Sequence, residues 1–356
     1  MRRIGYRLAA GLIIMGLLAA AGEPPASLRR GINITHWFRY PPSSDAAALR
    51  NYVGDKLLDD LRHVGFTFIR LPVQPDLLSQ PSLLVDAIAR VQRHGMAVVV
   101  ALFADGWHLE KDSGDRAKLV ATWRTLASIL RPLDARLTFP EVLNEPVFPG
   151  DPASWSLLQQ QVVDAIRAIL PADTIVLTGA DWGSVAGLLS LMPERDANVI
   201  YSFHFYEPPE LTSLAAYRPG LDTAAMARLP FPVNDPAGCA AAAQATVDPP
   251  TADLMRFYCA QHWDTAAVTA RIAMAGEWAS EHHVAVIAGE FGATERLNAA
   301  ARLAWLHTVR AACEAQGFGW ALWGYDDSMG LAARLPSKRL AIDPEVAAAL
   351  GLALPK

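Results

Sequence analysis

The chain has 356 residues, of which 52% are hydrophobic and 19% charged, so it is long and apolar enough to bury one large core. Its net charge is −5 and it contains no basic block, which argues against nucleic acid as a partner. No motif repeats at a period of tens of residues, which excludes repeat architectures.

Residues 1–22 have the pattern of a secretory signal peptide. Arg2, Arg3 and Arg7 precede an apolar run over residues 8–21, which ends in small residues that suit a cleavage site. The run is short for a membrane span, although an uncleaved anchor stays open as an alternative. No cysteine lies near the cleavage site, which disfavours a lipoprotein. We therefore expect an exported mature chain, periplasmic or extracellular, with no stable membrane association.

Eight short apolar runs with the composition of strands follow the signal. We place them at residues 30–34, 66–73, 96–103, 137–143, 174–178, 198–207, 286–292 and 318–325. Amphipathic helical patterns separate them, such as Leu119, Trp123, Leu126 and Leu130 after the third run. Eight such βα units, without a dinucleotide glycine fingerprint at the first turn, predict an α/β fold with a closed (β/α)8 TIM barrel.

This barrel is expected to use residues 23–356 as a single catalytic domain. One long excursion, at about residues 208–263, lacks clear periodicity, and a segment of that length inside a compact domain is usually functional. Cys239 and Cys259 both lie in it, and we predict that a disulfide joins them. Cys313 falls on a helical pattern and is predicted to be a buried thiol. No cysteine or histidine spacing suggests a metal, and we expect no cofactor.

Two glutamates stand at the ends of two predicted strands that are far apart in the sequence. Glu145 follows the fourth run in the Asn-Glu-Pro motif at 144–146, and Glu290 lies in the Gly-Glu-Phe-Gly motif at 289–292. The C-terminal strand ends of an α/β barrel meet on one face, where such enzymes keep their chemistry. A proton donor and a nucleophile at two such ends are what a two-carboxylate glycosidase needs.

Aromatic and polar side chains stand at the other strand ends. Glycoside cleavage uses hydrogen-bond donors to sugar hydroxyls and aromatic faces for pyranose rings. Trp37 and Trp182 are predicted to be sugar platforms, while Trp107 is open between platform and packing. Arg70 lies in an apolar strand, where it takes an edge position, forms a core ion pair, or faces a polar site at the strand end.

At these positions the chain resembles the family 5 glycoside hydrolases, which are cellulase-type retaining barrels. The resemblance covers essentially the whole chain after the signal. The motifs that carry it are Gly-Ile-Asn at 31–33, Ile-Arg-Leu-Pro at 69–72, Asn-Glu-Pro at 144–146, His-Phe-Tyr at 204–206, Gly-Glu-Phe-Gly at 289–292, and Trp323. Each motif is weak alone, but the six occur in the right order along the barrel.

The resemblance implies that Glu145 is the acid/base and Glu290 the nucleophile of a double displacement. It also implies that Arg70 and Tyr206 hold Glu290 ionised and oriented. A nucleophile needs a low pKa, which a cation and hydrogen bonds supply, whereas an acid needs a higher one.

Further residues are implied to bind substrate. Asn144 is implied to hydrogen-bond the 2-hydroxyl of the sugar being cleaved, His204 to sit beside the acid/base, and Trp323 to be the sugar platform. The chain departs from the family at the end of the third strand, where Phe103 stands in place of a histidine. His108, five residues on, is a candidate to supply that imidazole.

We therefore expect a retaining β-glycoside hydrolase, foremost an endo-β-1,4-glucanase that acts as a monomer on a β-linked polysaccharide or oligosaccharide. A β-mannanase or an exo-acting β-glucosidase stays open, since the excursion could close the cleft into a pocket. A barrel that binds polysaccharide without cleaving it also stays open, although binding alone needs no nucleophile. The sugar and its linkage are not specified by these motifs.

Overall fold

The computed structural model describes residues 22–334 and 340–354, so the predicted signal peptide lies almost entirely outside the described residues. Eight parallel strands close into a barrel in chain order. They are β1 Arg30–Asn33, β2 Phe68–Val73, β3 Ala97–Leu102, β4 Thr138–Glu141, β5 Ile175–Thr178, β6 Val199–Phe205, β7 Val286–Phe291 and β8 Gly319–Leu322. The predicted TIM barrel is confirmed, and each strand lies within its predicted run. A short antiparallel pair follows, β9 Ala332–Arg334 with β10 Leu340–Ile342.

Helices connect the strands and cover the outside of the barrel. They are α1 Thr35–Phe38, α2 Ala46–Tyr52, α3 Asp55–Val64, α4 Pro81–Arg93, α5 Ser113–Leu130, α6 Pro152–Arg167, α7 Val185–Leu189, α8 Pro209–Thr212, α9 Thr223–Met226, α10 Pro236–Gln244, α11 Pro249–Ala260, α12 Thr265–His282, α13 Ala299–Ala315 and α14 Pro344–Ala349. Short 3-10 turns occupy Ala26–Leu28 and Pro75–Ser79. Within the described part of the chain, no helix combines the length and apolarity needed to cross a membrane.

Asp-Pro dipeptides begin α6, α10, α11 and α14. In each case the aspartate side chain accepts a hydrogen bond from a backbone N–H of the first turn, and the proline takes the first helical position. A proline there loses no hydrogen bond, because the first N–H groups of a helix have no partner within it. These four helix starts are therefore encoded locally.

Apolar side chains form two layers on either side of the strands. The larger layer lies between strands and helices and contains Trp123, Trp155 and Trp305. A smaller cluster fills the barrel interior and includes Phe68 of β2 and Phe139 of β4. Because side chains alternate along a strand, the residues two positions beyond these phenylalanines, Arg70 and Glu141, also point inward. A polar layer thus sits above the apolar interior, at the C-terminal end of the barrel.

The excursion after β6 is a helical lobe rather than an irregular segment, so that part of the prediction is wrong. Helices α8 to α11 lie in it, and a disulfide between Cys239 and Cys259 joins α10 to α11, as predicted. Buried Met226, Met255 and Tyr258 give the lobe its own apolar centre. Helix α10 is rich in alanine and has little amphipathic pattern, which explains why periodicity did not reveal it. Cys313 is free and buried, as predicted.

Candidate active site

Arg70 is the centre of the polar layer at the barrel mouth. Its Nε and Nη2 donate to the two carboxylate oxygens of Glu141 at 2.7 and 2.5 Å. Its Nη1 donates to Asn33 at 3.0 Å and also to Glu290, while Nη2 donates to Asn144 at 2.9 Å. The guanidinium is fully buried, and each of its nitrogens has an acceptor. Arg70 forms a core ion pair and also faces the site, so two of the three alternatives hold together. The edge position does not, because β2 is paired on both sides.

Glu141 is a site residue that the motifs did not single out. It is fully buried on β4 and forms the bidentate partner of Arg70. The register could have revealed it: β3 pairs with both β2 and β4, and Arg70 and Glu141 both point into the barrel two positions beyond a buried phenylalanine. A buried arginine needs a buried counter-charge, and this inward-facing carboxylate is nearby in the sheet.

Glu290 is buried at the end of β7 and held by one group from β2 and one from the residue that follows β6. Arg70 donates to its Oε1, and the Tyr206 hydroxyl donates to its Oε2 at 2.8 Å. Burial raises the pKa of Glu290 above its ordinary value, and the charges of His204 and Arg70 with the Tyr206 hydrogen bond oppose this only in part. This direction differs from the low pKa that the sequence predicted. The physical reason is burial, which disfavours the charged carboxylate, together with the nearby charge of Glu145; the prediction included neither.

Glu145 lies in the turn after β4, with a backbone φ of 44°. A left-handed conformation is costly for a glutamate, and such strain is concentrated at functional sites. Its Oε1 lies 3.0 Å from Nδ1 of His204, and that same nitrogen lies 3.5 Å from Oε2 of Glu290. Carboxylate oxygens of the two glutamates lie within 4.8 Å of each other. A short separation of this kind is typical of retaining rather than inverting glycosidases.

His204 stands between the two glutamates. Burial lowers its pKa, but the charge of Glu290 and the hydrogen bond to Glu145 raise it by more, so the net direction is upward. The sheet register shifts at Phe203/His204, and the shift sets His204 opposite Glu290. The neighbouring Gly289 permits this arrangement, because a Cβ there would overlap the Ser202 hydroxyl.

The same three residues have the spacing of a metal site. Ligand atoms of Glu145, His204 and Glu290 lie within 4.8 Å of one another, which would suit one cation. However, Arg70 and Tyr206 already donate to the two oxygens of Glu290, and the guanidinium would repel a cation. We therefore assign no metal role to the cluster, and the expectation that no cofactor is needed stays a prediction.

Two adjoining cavities flank Glu145. The inner cavity, of about 260 Å³, is lined by both glutamates, Tyr206 and Trp323. The outer cavity, of about 280 Å³, is lined by Glu145 and Trp182 but not by Glu290. The two cavities together form a cleft across the barrel mouth. Its inner part contains the whole reacting pair, and its outer part contains only Glu145.

Asn144 and Trp323 are placed where their implied roles require them. Asn144 lines both cavities, and its Oδ1 accepts from Arg70, which leaves its amide nitrogen to donate to a ligand. Trp323, half-buried after β8, forms a wall of the inner cavity and stacks on Phe103 with ring centroids 6.2 Å apart. Their contacts with substrate stay predictions.

Trp182 lies on a strained turn at the outer cavity. It is 60% exposed, and Asp181, Trp182 and Gly183 have φ values of 63°, 58° and 64°. Three successive left-handed residues are costly unless the surroundings fix them. Here the Trp182 backbone N–H donates to Pro146, and Gly183 accepts from the His204 backbone. The turn thus presents an exposed indole in the cavity that Glu145 also lines. Trp107, left open by the sequence, lines the same cavity.

Two predicted site residues are not part of the cleft. Trp37 is fully buried, and its indole nitrogen donates to the Leu49 carbonyl at 2.8 Å, so the sugar-platform prediction is wrong. Residues 35–38 form helix α1, which turns the indole towards α2 instead of the cleft. The His108 side chain is 61% exposed and lies 3.9 Å from Glu110, outside the lining of both cavities. It therefore does not supply the imidazole that Phe103 replaces.

Arg39 lines both cavities and was not singled out by the sequence. Its guanidinium carbon lies 3.9 Å from the ring centroid of Phe103, and it forms an ion pair with Asp105. Arg39 comes two residues after Trp37, so the loop after β1 does contribute to the cleft, but through a cation. Nothing in the local sequence marks this arginine, because its partner lies 66 positions away.

The fold and the paired carboxylates define this protein as a (β/α)8 barrel of the two-glutamate glycosidase class. Residues 34–328 match the family model described as Cellulase (glycosyl hydrolase family 5), and the chain belongs to that family.

Relatives and solved structures agree with this assignment. Endoglucanase 3 of Fibrobacter succinogenes is 26% identical over 329 residues, which covers 84% of this chain and 49% of the relative. Endoglucanase C of Acetivibrio thermocellus is 24% identical over 206 residues, covering 51% of this chain and 58% of the relative. The chain thus spans about half the length of these curated relatives. Endoglucanase Cel5A of Thermotoga maritima shares the fold, with a TM-score of 0.73 and 21% identity over 91% of this chain and 97% of that one.

Proposed function

We propose that the protein is a retaining endo-β-1,4-glucanase. The observation that carries the proposal is the pair of carboxylates within 4.8 Å of each other, one buried and one at the junction of two cavities. The names of the endoglucanase relatives support it, although the chain spans only about half their length.

The first step uses Glu290 as the nucleophile. Its carboxylate attacks the anomeric carbon of the sugar in the inner cavity, and the glycosidic C–O bond breaks. Glu145 gives its proton to the departing oxygen, so the leaving sugar occupies the outer cavity. The Tyr206 hydroxyl and Arg70 hold the attacking carboxylate in place. The result is a glycosyl ester on Glu290.

The second step releases the sugar with retained configuration. Glu145, now a carboxylate, takes a proton from water, the water oxygen attacks the anomeric carbon, and the bond to Glu290 breaks. While the ester exists, Glu290 has no negative charge to offer Arg70. Glu141 remains as the counter-ion, so the buried guanidinium is neutralised throughout the cycle.

The cleft favours a neutral polymer cut internally. Four carboxylates line the two cavities, Asp105, Glu110, Glu145 and Glu290, against the single guanidinium of Arg39. Such a lining disfavours uronate polymers by like-charge repulsion. Space on both sides of Glu145 suits a chain that continues past the cleavage point. The helical lobe contributes only Ser213 to the described lining, which supports an open cleft over the pocket of an exo-acting enzyme.

Turnover of dinitrophenyl β-cellobioside, with the double variant Glu145→Gln/Glu290→Gln as control, tests the proposal. Endo action predicts a rapid fall in the viscosity of hydroxyethyl cellulose before many reducing ends appear. A β-mannanase would show faster turnover on mannan, and an exo-acting enzyme would release single sugars without loss of viscosity. A wild-type protein that binds cello-oligosaccharides but cleaves no β-glycoside would be a binding barrel.

We also propose that the protein is exported and acts as a monomer, with residues 1–22 removed. The Cys239–Cys259 bridge supports export, because disulfides persist in oxidising compartments. N-terminal sequencing of material exported by a bacterial host should give a start near Glu23. An intact Met1 on a membrane-bound product would contradict it. Size-exclusion chromatography with light scattering tests the monomer.

A further inference from the structure

A guanidinium lies in the cleft at a position that the two-glutamate chemistry does not use. Arg39 lines both the inner and the outer cavity, so it stands beside the junction where Glu145 lies. Its side chain is only 17% exposed, although it comes from a loop at the barrel mouth. Arginines on loops usually extend into solvent. This one is withdrawn from bulk water and still faces the space for substrate.

Neighbouring residues hold the guanidinium in one orientation. Its carbon lies 3.9 Å from the ring centroid of Phe103 and 4.6 Å from that of Tyr40. Asp105 accepts from its Nε at 3.3 Å and from its Nη2 at 3.2 Å. Asp105 also accepts from the Tyr40 hydroxyl at 2.8 Å and from Gln74 at 3.1 Å. A group fixed in this way binds without losing further conformational entropy.

This clamp leaves donors for a ligand. A guanidinium has five N–H groups, and the clamp uses one on Nε and one on Nη2. Across residues 22–334 and 340–354, Nη1 of Arg39 has no protein acceptor. Fixed N–H donors beside the reacting carboxylates match the hydroxyl oxygens of a sugar. Because Asp105 cancels the charge, the geometry favours an uncharged acceptor over a carboxylate.

Phe103 belongs to the same unit. It lies close to two guanidinium groups, with Arg39 at 3.9 Å and Arg70 at 5.6 Å from its ring centroid. Two cations would disfavour a charged imidazole at this position, whereas the face of a phenyl ring attracts both. A hydrogen-bond donor therefore stands in the cleft beside Phe103, and it comes from the loop after β1.

We propose that Arg39 is a specificity-determining residue that binds a hydroxyl of a neutral sugar through Nη1, with Asp105 cancelling its charge. This rests on the proposed glycosidase function. A role in binding also differs from a role in shaping the loop. If Arg39 binds a hydroxyl, its removal affects substrates that carry that hydroxyl and spares those that lack it.

The test compares wild type with Arg39→Met on dinitrophenyl β-cellobioside and on its monodeoxy analogues. Methionine keeps an apolar stem over Phe103 but donates nothing. We expect kcat/KM on the parent substrate to fall by about tenfold or more, as for loss of a charged hydrogen bond. We also expect one deoxy analogue to be discriminated about tenfold by wild type and hardly at all by the variant. An equal loss on every substrate, or unchanged discrimination, would overturn the proposal.

Two further variants keep the result interpretable. Arg30→Met removes an arginine from the opposite end of β1, where it pairs with Glu314 at 3.1 Å, and should leave both rate and discrimination unchanged. Arg39→Lys keeps the charge but not the paired donors, so it should lose discrimination and remain folded even if the methionine variant does not. Circular dichroism and thermal melts check folding.

Charge cancellation is tested with Asp105→Asn. This change leaves Arg39 in the cleft with an uncancelled charge, so activity on carboxymethyl cellulose should rise severalfold relative to activity on hydroxyethyl cellulose. An unchanged ratio would contradict the role of Asp105. If wild type cleaves no β-glycoside, the proposed function fails, and calorimetry of cello-oligosaccharide binding to wild type and Arg39→Met then tests Arg39 by itself. Equal affinities would end the Arg39 proposal as well.

Discussion

The floor of the cleft and its rim are built in different ways. The floor consists of side chains from strands, with Arg70, Glu141 and Glu290 buried and bonded to one another. The rim consists of loop residues, with Trp182 on a strained turn and Arg39 held by ring contacts and one aspartate. Floor residues share partners across several strands, whereas the rim residues are held by contacts with residues of other loops.

This difference determines how each region responds to change. In the floor, removal of one group leaves another buried group without its partner, so chemistry and stability are coupled. At the rim, water can replace a lost group, so affinity changes while the fold persists. Substitutions in the two regions should therefore separate into two classes.

The largest effects are expected for the two glutamates. Glu290→Ala and Glu145→Ala should each lower kcat on cello-oligosaccharides by about 10⁴-fold or more, as for removal of one member of a catalytic group. On a dinitrophenyl substrate, which needs little protonation, Glu145→Ala should keep its first step. Burst kinetics measures this. If the two variants behaved alike on that substrate, the roles would be wrongly assigned.

Azide distinguishes the two roles stereochemically. In Glu145→Ala it needs no base to attack the glycosyl ester, so the product should be the β-glycosyl azide. In Glu290→Ala it attacks directly from the nucleophile's side and should give the α-azide. NMR of the products checks both. Inversion at the anomeric carbon in wild-type product would rule out the retaining mechanism.

The next largest effect is expected for Glu141→Gln, which breaks the coupling in the floor. Loss of one partner of a buried ion pair should destabilise the fold by about 3–5 kcal/mol. The raised pKa of Glu290 places the acid limb of kcat/KM above the range of an ordinary glutamate, because the nucleophile must be ionised. Without Glu141, Arg70 acts on Glu290 alone. The pKa of Glu290 should therefore fall, and the acid limb of kcat/KM should move to lower pH.

The matched control for Glu141→Gln is Asp253→Asn, which removes a carboxylate from an exposed ion pair with Arg256. Neither the melting temperature nor the pH profile of that variant should change much, because exposed pairs contribute little. The acid limb of kcat/KM in Glu141→Gln should move to lower pH. If it stayed in place or moved to higher pH, that would contradict the idea that Glu141 and Glu290 share the charge of Arg70. Measurement of kcat/KM from pH 3 to 8 provides the comparison.

Trp323 and Trp182, two of the tryptophans that line the cleft, sharpen the contrast between its inner part and its rim. Trp323→Ala removes a wall of the inner cavity and should lower activity on oligosaccharides by orders of magnitude. Trp182→Ala should raise KM by about tenfold or less, in line with about 0.5–1.5 kcal/mol for one aromatic contact. Both variants should keep the wild-type circular dichroism spectrum. Equal effects of the two substitutions would mean that depth in the cleft does not determine their importance.

The smallest effects on activity are expected for the two residues outside the cleft. Trp37→Phe loses the hydrogen bond to Leu49 and buried volume, so it should cost about 1–3 kcal/mol in stability with kcat/KM nearly unchanged. His108→Ala should leave the stability unchanged and should change kcat/KM by no more than twofold. Thermal melts and initial rates measure these quantities. A large loss of kcat/KM in His108→Ala would show that this imidazole does act in the site.

The sequence predicted the barrel and most of the floor, because strand residues obey a strict alternation. Once eight strands close into a barrel, an arginine in an apolar strand and a glutamate at a strand end have few possible positions. Glu141 was within reach of the same reasoning, since its inward position on β4 follows from that alternation. The pKa of Glu290 was predicted in the wrong direction because burial of its carboxylate at the strand end was left out.

Arg39 escaped prediction, unlike Trp182, because its position depends on contacts between loops that are distant in the sequence. Arg39 is fixed by Asp105 and Phe103, more than sixty positions along the chain, and no local pattern reports that contact. Trp37 has the composition of a sugar platform, yet one helical turn at α1 directs it into the core. The helical lobe was missed for another reason: Asp-Pro dipeptides mark the starts of α10 and α11, but α10 has little amphipathic periodicity.

The disulfide of that lobe has a consequence for proteolysis. The bridge encloses the turn between α10 and α11, where Val247 is 97% exposed, and exposed turns are preferred sites of nicking. A chain cut at this turn remains one covalent molecule, because both fragments keep a cysteine of the bridge. Such a protein would migrate as one band without reductant and as two bands with it. Since neither cysteine belongs to the barrel, the nicked molecule would keep its cleft and its activity.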